Sequence, residues 1–160
     1  MNPPANKEIA LTPEGQAKLE DELIHLETVR RREVGERIKE AKEFGDISEN
    51  SEYDDAKNEQ AWVEGRILEV TQILARATII DAPKKNDKVT LGCKVVLESA
   101  KGAKHEYQVV GSAEADPAAD KISNESPVGA AILGHKKGDA VKVTTPSGKV
   151  IIYTIVSISR

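Results

Sequence analysis

From Ala56 onward, apolar positions recur at alternating steps of four and three residues, the spacing of a coiled-coil helix. The series consists of Ala56, Gln60, Val63, Ile67, Val70, Leu74 and Ala77. It predicts a helix from about Ser51, where Asp54 completes a partial capping box, to about Ala77. Because one apolar seam on an otherwise polar helix must be covered, the pattern also predicts a partner helix.

A longer helix is predicted before this one. Thr12 is a suitable N-cap with Pro13 at the first helical position, and no other proline occurs before Phe44. Gly45 then suits a left-handed C-terminal cap. Antiparallel pairing brings the apolar residues of both helices together as Ala41 with Ala56, Ile38 with Gln60, Val34 with Val63, Leu26 with Val70, Leu23 with Leu74 and Leu19 with Ala77. Only Arg30, opposite Ile67, interrupts the match. We therefore predict an antiparallel coiled-coil hairpin, in preference to two helices packed separately on a globular core.

The second half of the chain changes to short β-branched runs separated by turn signals. The runs are ATIID, KVTLG, KVVLES, HEYQVVG, AVKVTTP and KVIIYTIVSIS. Between the fourth and fifth runs we expect a loop with one short helix around Gly129 to Leu133. The predicted fold class is α+β: a helical hairpin in residues 1–77 and a small, antiparallel-rich α+β domain in residues 78–160.

Composition narrows the cellular setting. The 160 residues are 39% hydrophobic and 31% charged, as in ordinary globular proteins. The first half is acidic and the second weakly basic, which agrees with two domains. The start MNPPANKEIA lacks an apolar signal region, and no apolar run approaches the roughly 18 residues of a membrane span. We expect a cytoplasmic protein that contacts no membrane, in which the single cysteine, Cys93, is a small buried residue.

The turn between the predicted helices is unusually acidic. The stretch EFGDISENSEYDDA carries six carboxylates and neither Lys nor Arg. Glu52, Asp54 and Asp55 lie at the predicted start of a helix, where negative charge is favourable. Asp46 and Glu49 have no such explanation, and from the residues alone a solvated turn is the simpler interpretation.

Several motifs resemble the Gre family of bacterial transcript-cleavage factors, and the modest basic content is most similar to its GreA branch. They are GDISENSEYDDAKNEQ at the turn, the later EGRI, and in the second half ISNESPVGAAILGHKKGD followed by TPSGK. The resemblance covers nearly the whole chain. It implies an N-terminal coiled-coil hairpin with an acidic tip at about residues 45–52 and a C-terminal FKBP-like domain that binds polymerase.

The resemblance also implies a mechanism. Gre factors insert the hairpin through the secondary channel of bacterial RNA polymerase that has backtracked, and two tip carboxylates reach the polymerase's catalytic site. By position these are Asp46 and Glu49, which would share a Mg²⁺ ion with the polymerase rather than bind it in the free protein. The chain would then be no enzyme itself but an accessory factor without a tightly bound cofactor, and we expect a monomer.

Two further groups of residues follow from the resemblance. Lys42 and Lys57 match a basic patch that holds the nascent RNA 3′ end, and paired cations suit a phosphate chain. Glu125, Ser126 and Pro127 match a loop that grips the polymerase at the rim of the channel, although a turn before proline would explain them equally well from the residues alone.

Two other functions stay open. A polymerase inhibitor of the same architecture would occupy the channel without promoting cleavage. A peptidyl-prolyl isomerase would use the FKBP-like domain, but such pockets are lined with aromatic residues and residues 81–160 offer only Tyr107 and Tyr153. The GDISEN sequence of the tip favours the cleavage factor over both.

Overall fold

The chain folds as two compact units, and the α+β prediction is confirmed. The computed structural model describes residues 8–44, 51–81 and 87–160. One unit is Gln16–Arg76, and the other combines Met1–Gly15 with Ala77–Arg160. The chain passes from the first of these units to the second after Arg76. The described residues before Gln16, in contrast, belong with the sheet.

The helical unit is an antiparallel hairpin. Its first helix is continuous through three segments: α1 (Pro13–His25), one π-helical turn (Leu26–Arg30) and α2 (Arg31–Glu43). The second helix is α3 (Ser51–Ala75). The apolar cluster between them consists of Leu26, Val34, Ile38, Ala56, Val63 and Ile67, with Leu23 and Tyr53 packed against it. Nearly all of these residues belong to the predicted seams, so the sequence identified correctly which residues face the partner helix.

The π-helical turn explains the one mismatch in that register. Between Val34 and Leu26 the first helix advances by two steps of four residues, whereas the facing stretch of α3, from Val63 to Val70, advances by four and three. The first helix therefore holds one residue too many. A π-helical turn accommodates an extra residue in a widened turn, which keeps both Val34 and Leu26 buried.

Ion pairs follow both helices and connect them. Glu59 accepts hydrogen bonds from Arg30 and Arg37, and Arg37 also bonds Glu52 at 2.7 Å. Arg31 binds both carboxylate oxygens of Glu64 at 2.8 Å. The guanidinium of Arg30, the residue that interrupts the apolar seam, thus pairs with a carboxylate on α3. Exposed pairs of this kind stabilise a protein by less than about 1 kcal/mol each, so they mainly fix the register that apolar burial makes favourable.

The second unit contains a five-stranded sheet and one short helix. The strands are β3 (Lys94–Ser99), β4 (Lys104–Val110), β5 (Lys121–Ser123), β6 (Ala140–Thr144) and β7 (Val150–Ser159), in the order β5-β4-β3-β7-β6. All neighbours are antiparallel except β4 and β5. Helix α4 (Pro127–Ile132) contributes Ile132 to a core that also contains Cys93, as expected for a buried thiol.

Three local predictions differ from the structure. The run KVTLG forms no strand: Val89 is buried, but its backbone bonds Gly134 and His135 in the loop after α4. Strand β5 was expected to be loop. Ala77, placed in the second helix, instead begins β2 (Ala77–Ile79), which pairs in parallel with β1 (Ile9–Leu11). Strand β2 lies within the predicted run ATIID, whereas β1 and β5 were missed; both are three residues long, too short to produce an alternating pattern.

The start of α1 is held by a carboxylate from far along the chain. Glu114 accepts hydrogen bonds from the backbone N–H and the hydroxyl of Thr12, at 2.7 and 2.6 Å. The Thr12 oxygen in turn accepts the N–H of Gly15 at 3.0 Å, so the predicted N-cap is confirmed. Gly111 completes the contact, because a Cβ there would collide with the carbonyl oxygen of Ala10.

Two glycines in the hairpin generate a stability prediction. Gly35 in α2 and Gly65 in α3 lie in helix interiors, and no heavy atom lies within 4 Å of the position of an added Cβ. Gly35→Ala and Gly65→Ala should each raise the free energy of unfolding by about 0.5–1 kcal/mol, because alanine loses less backbone entropy on helix formation. Denaturant unfolding followed by far-ultraviolet circular dichroism measures the effect.

Gly111→Ala provides the contrasting variant. It should destabilise the protein, since its Cβ would displace the Ala10 backbone. Equal destabilisation by all three substitutions would contradict the open surroundings of Gly35 and Gly65.

Candidate functional site

The end of the hairpin beside the acidic turn presents the predicted basic residues. Lys42 lies in the last turn of α2, and Lys57 lies in the second turn of α3. Both side chains are exposed, and the Lys57 ammonium donates a hydrogen bond to Gln60 Oε1 at 2.7 Å. They directly follow Ala41 and Ala56, the facing pair nearest the turn. The register therefore brings both cations to the same end of the hairpin.

The two predicted catalytic carboxylates, Asp46 and Glu49, lie outside the described residues, as do most residues of the tip. The flanking acids are described. Glu52 and Asp54 occupy the first turn of α3, where the helix dipole favours them. Tyr53 is half-buried and packs against the hairpin core, so its ring supports the helices beside the turn.

A groove lies beside the last turn of α2. It has a volume of about 310 Å³ and is lined by Arg37, Glu40, Ala41, Phe44 and Glu52. Phe44 closes the helix by donating its backbone N–H to Glu40 O at 3.2 Å, yet its side chain is 89% exposed. The sequence pattern predicts for this residue only the end of a helix. The overlooked signal was an aromatic side chain, the single Phe of the chain, next to a turn of carboxylates.

The charges of the groove are already paired. Hydrogen bonding to Glu52 and its negative charge raise the pKa of Arg37, with a further contribution from Glu59. The guanidinium therefore stays protonated at any physiological pH. Its two carboxylate partners hold it against α3. Among the described residues that line the groove, Glu40 and the Phe44 ring have no such ion pair.

In the second unit, the predicted polymerase contact is a helix cap. Ser126 is the N-cap of α4: its oxygen accepts the N–H of Gly129 at 3.0 Å, and its hydroxyl donates to Ser123 O at 2.7 Å. Pro127 takes the first helical position, which its fixed φ angle suits. Ser126 and Pro127 thus cap a helix, a structural role that differs from both sequence interpretations, the simple turn and the contact loop.

Glu125 differs from the two residues that follow it. Its side chain is exposed and accepts a hydrogen bond from Ser112 Oγ at 2.6 Å. It also borders a groove of about 430 Å³, whose other lining residues are Glu8, Ile9, Ala10, Ser112, Ala113 and Asn124. A carboxylate at the margin of a partly apolar groove is suited to a protein contact.

Comparisons with known proteins match both units. The family model described as "Transcription elongation factor, N-terminal" matches residues 9–79, and the one described as "Transcription elongation factor, GreA/GreB, C-term" matches residues 84–160. The chain belongs to the GreA/GreB family of transcription elongation factors.

Individual relatives extend over the full length. The transcription elongation factor GreA of Acetivibrio thermocellus is 56% identical over 97% of this chain and 98% of its own. That of Caldanaerobacter subterraneus is 52% identical over 97% and 99%. Among solved structures, the GreA factor homolog 1 protein of Thermus thermophilus is 34% identical, covers 96% of this chain and all of its own, and has a TM-score of 0.44.

Within this GreA/GreB chain, the described residues contain no complete metal site. Residues 8–44, 51–81 and 87–160 include no group of three or more His, Cys, Asp or Glu side chains that could hold an ion. None of the helices formed by the same residues is long and apolar enough to cross a membrane. The arrangement offers instead exposed cations and an exposed aromatic ring at the hairpin end, and a capped helix beside a groove in the sheet domain.

The cap at Ser126 allows structural and contact roles to be separated. Ser126→Ala removes the acceptor of the Gly129 N–H, so it should destabilise the sheet domain by about 1 kcal/mol. Glu125→Gln keeps an acceptor for Ser112 and should leave stability within about 0.5 kcal/mol of the parent. Hydrogen exchange of the α4 amides measures both. Faster exchange in Glu125→Gln than in Ser126→Ala would reverse the assignment.

Proposed function

We propose that this protein binds bacterial RNA polymerase, inserts its hairpin through the secondary channel and stimulates the polymerase to cleave the 3′ end of backtracked RNA. The cleavage rescues arrested complexes. The observation that carries the proposal is the identity of more than half the residues with a transcription elongation factor GreA over nearly the full length of both chains.

The shape of the hairpin end supports insertion. Its core tapers to the facing alanines Ala41 and Ala56, which are buried with almost no side-chain volume. Two helices can approach closely there, so the hairpin is thin where it would enter a channel. The polar and charged exterior, with ion pairs such as Arg31 with Glu64, suits a water-filled passage more than an apolar groove.

In this proposal Asp46 and Glu49 are the catalytic carboxylates of an accessory factor. Two carboxylates are oxygen donors that Mg²⁺ accepts, but they are too few for its six-coordinate shell. Such a pair suits an ion shared with the polymerase and not one owned by the free protein. Bound there, the ion would help supply an activated water for phosphodiester hydrolysis. The residues of this chain contribute negative charge and orientation of that water.

The basic residues would hold the RNA. Lys42 and Lys57 are exposed at the same end of the hairpin, and a transcript extruded into the channel presents one phosphate per nucleotide. The polymerase grip would involve Glu125, Ser126 and Pro127 in the sheet domain. Ser126 and Pro127 build the start of α4, whereas Glu125 presents an exposed carboxylate at the margin of the groove.

A stalled bacterial elongation complex with end-labelled, backtracked RNA tests the proposal. Adding the protein should shorten the transcript from its 3′ end in the presence of Mg²⁺. The protein incubated with free RNA should leave it intact, because the chemistry needs the polymerase. An inhibitor of the same architecture would instead protect the transcript, and that result would refute cleavage stimulation.

Neutralising the tip carboxylates separates chemistry from binding. Asp46→Asn and Glu49→Gln keep side-chain size but remove the charge that attracts the shared ion, so the cleavage rate should fall on the order of 10- to 100-fold in each variant. Affinity for the polymerase should stay within about twofold, measured by competition with labelled parent protein. The double variant should therefore block cleavage by the parent.

Glu43→Gln is the matched control for that experiment. It removes one exposed carboxylate next to the same turn, in the last turn of α2, and should cleave as the parent does. An equal loss of activity in Glu43→Gln would mean that overall negative charge, and not Asp46 and Glu49, drives the reaction.

Reversing the charge of either lysine tests the RNA contact. Lys42→Glu and Lys57→Glu should each raise the protein concentration needed for half-maximal cleavage by roughly 3- to 10-fold, since an attraction to phosphate becomes a repulsion. The defect should grow with the length of extruded RNA. Lys18→Glu, an exposed residue of α1 far from the turn, is the control. Normal cleavage of long extruded transcripts by both tip variants would exclude the basic patch.

A further inference from the structure

Phe44 is the most exposed large apolar residue in the described part of the chain. Its side chain is 89% exposed, compared with 60% for Trp62 and 59% for Ile24 and Leu68. Single apolar residues on a surface are common. An aromatic ring that is 89% exposed at the last described residue before the turn is different, because neither apolar cluster of the described residues includes it.

The groove beside the ring, of about 310 Å³, is lined by groups that can contact a polar ligand. Arg37, Glu40, Ala41 and Phe44 are spaced so that they share one face of α2, and Glu52 closes the groove from α3. The small side chain of Ala41, almost fully buried, lies at the base of the groove. The carboxylates of Glu40 and Glu52 repel phosphate but accept hydrogen bonds from amino groups, so the groove favours a nucleobase over the backbone that carries it.

The phosphates of a bound RNA would lie beside Lys42, outside the groove. Lys42 follows Ala41 directly and therefore points about 100° away from the groove around the helix. Exposed cations beside an exposed aromatic ring are the combination with which proteins bind single-stranded nucleic acid: the cations attract the backbone and the ring stacks on a base.

We propose that Phe44 stacks on a base of the extruded RNA, with the groove between α2 and the start of α3 receiving the edge of that base. The inference rests on the proposed function, which brings the RNA 3′ end to this part of the hairpin. It adds a positioning residue: stacking would fix the nucleotide while the carboxylates of the turn act on the backbone.

Substitutions that separate aromatic character from size test the stacking. In the stalled-complex assay, Phe44→Ala and Phe44→Leu should lower the rate of cleavage about tenfold, the share that one stacked base contributes. Phe44→Trp should retain the parent rate or exceed it. Circular dichroism should show unchanged helix content, since the side chain packs on little. If the ring had only an apolar supporting role, Phe44→Leu would retain the cleavage rate of the parent.

A double-mutant cycle provides the decisive measurement. Elongation complexes are assembled with RNA in which one extruded nucleotide is abasic, moved in turn through the last three positions. At the position that stacks, the parent should slow about tenfold, and Phe44→Ala should lose no further rate. A constant tenfold difference between parent and variant at every abasic position would show that the ring contacts no base and would overturn the inference.

Trp62→Ala is the control for exposed aromatic residues. Trp62 lies on α3 away from the turn, so its removal should change neither the rate nor the response to an abasic nucleotide. If the parent protein itself fails to shorten backtracked RNA, the proposed function is wrong and the stacking falls with it. If the parent cleaves and Phe44→Ala matches it, only the stacking is wrong.

Discussion

Two helices of unequal residue count must keep one apolar seam in register, and this constraint shapes the whole hairpin. The π-helical turn at Leu26–Arg30 absorbs the extra residue. Without it, Leu26 or Val34 would rotate out of the core and leave its partner on α3 uncovered. Arg30 and Arg37 precede and follow Val34 along the first helix, and both pair with Glu59 of α3. These ion pairs connect the two helices between the π-helical turn and the tip. Register is thus maintained up to the residues that border the tip.

The parts of the fold that sequence reasoning predicted are those with repeated local signals. The seams of α2 and α3 repeat over many turns, and the Thr12 cap is a local hydrogen bond. Arg30 shows the limit of such signals: the pairing pattern marks it as a mismatch, but the two consecutive steps of four residues that surround it are the signature of a π-helical turn. Strand β1 was not predictable in the same way, because three residues gain their conformation only from pairing with Ala77–Ile79, which follow the hairpin.

The residues of the candidate site likewise differ in whether a local sequence signal predicts them. The lysines at the hairpin end were found through a resemblance of motifs, and the register places them together. The cap formed by Ser126 was missed because a Ser-Pro pair reads equally well as a turn, and only the hydrogen bond to Gly129 decides between them. Phe44 was missed for another reason. Exposure is a property of the folded chain, and a phenylalanine at a helix end is most simply interpreted as part of a core.

The hydrogen bonds between Thr12 and Glu114 join residues 102 positions apart, and this separation orders events during synthesis. All residues of the hairpin seam have been made once α3 is complete, whereas the residue that holds the start of α1 is added much later. Until then the N–H and hydroxyl of Thr12 form hydrogen bonds with water, and the first helical turn can fray. The first helix of the hairpin is thus fastened at its beginning only after Glu114 of the second unit has been made.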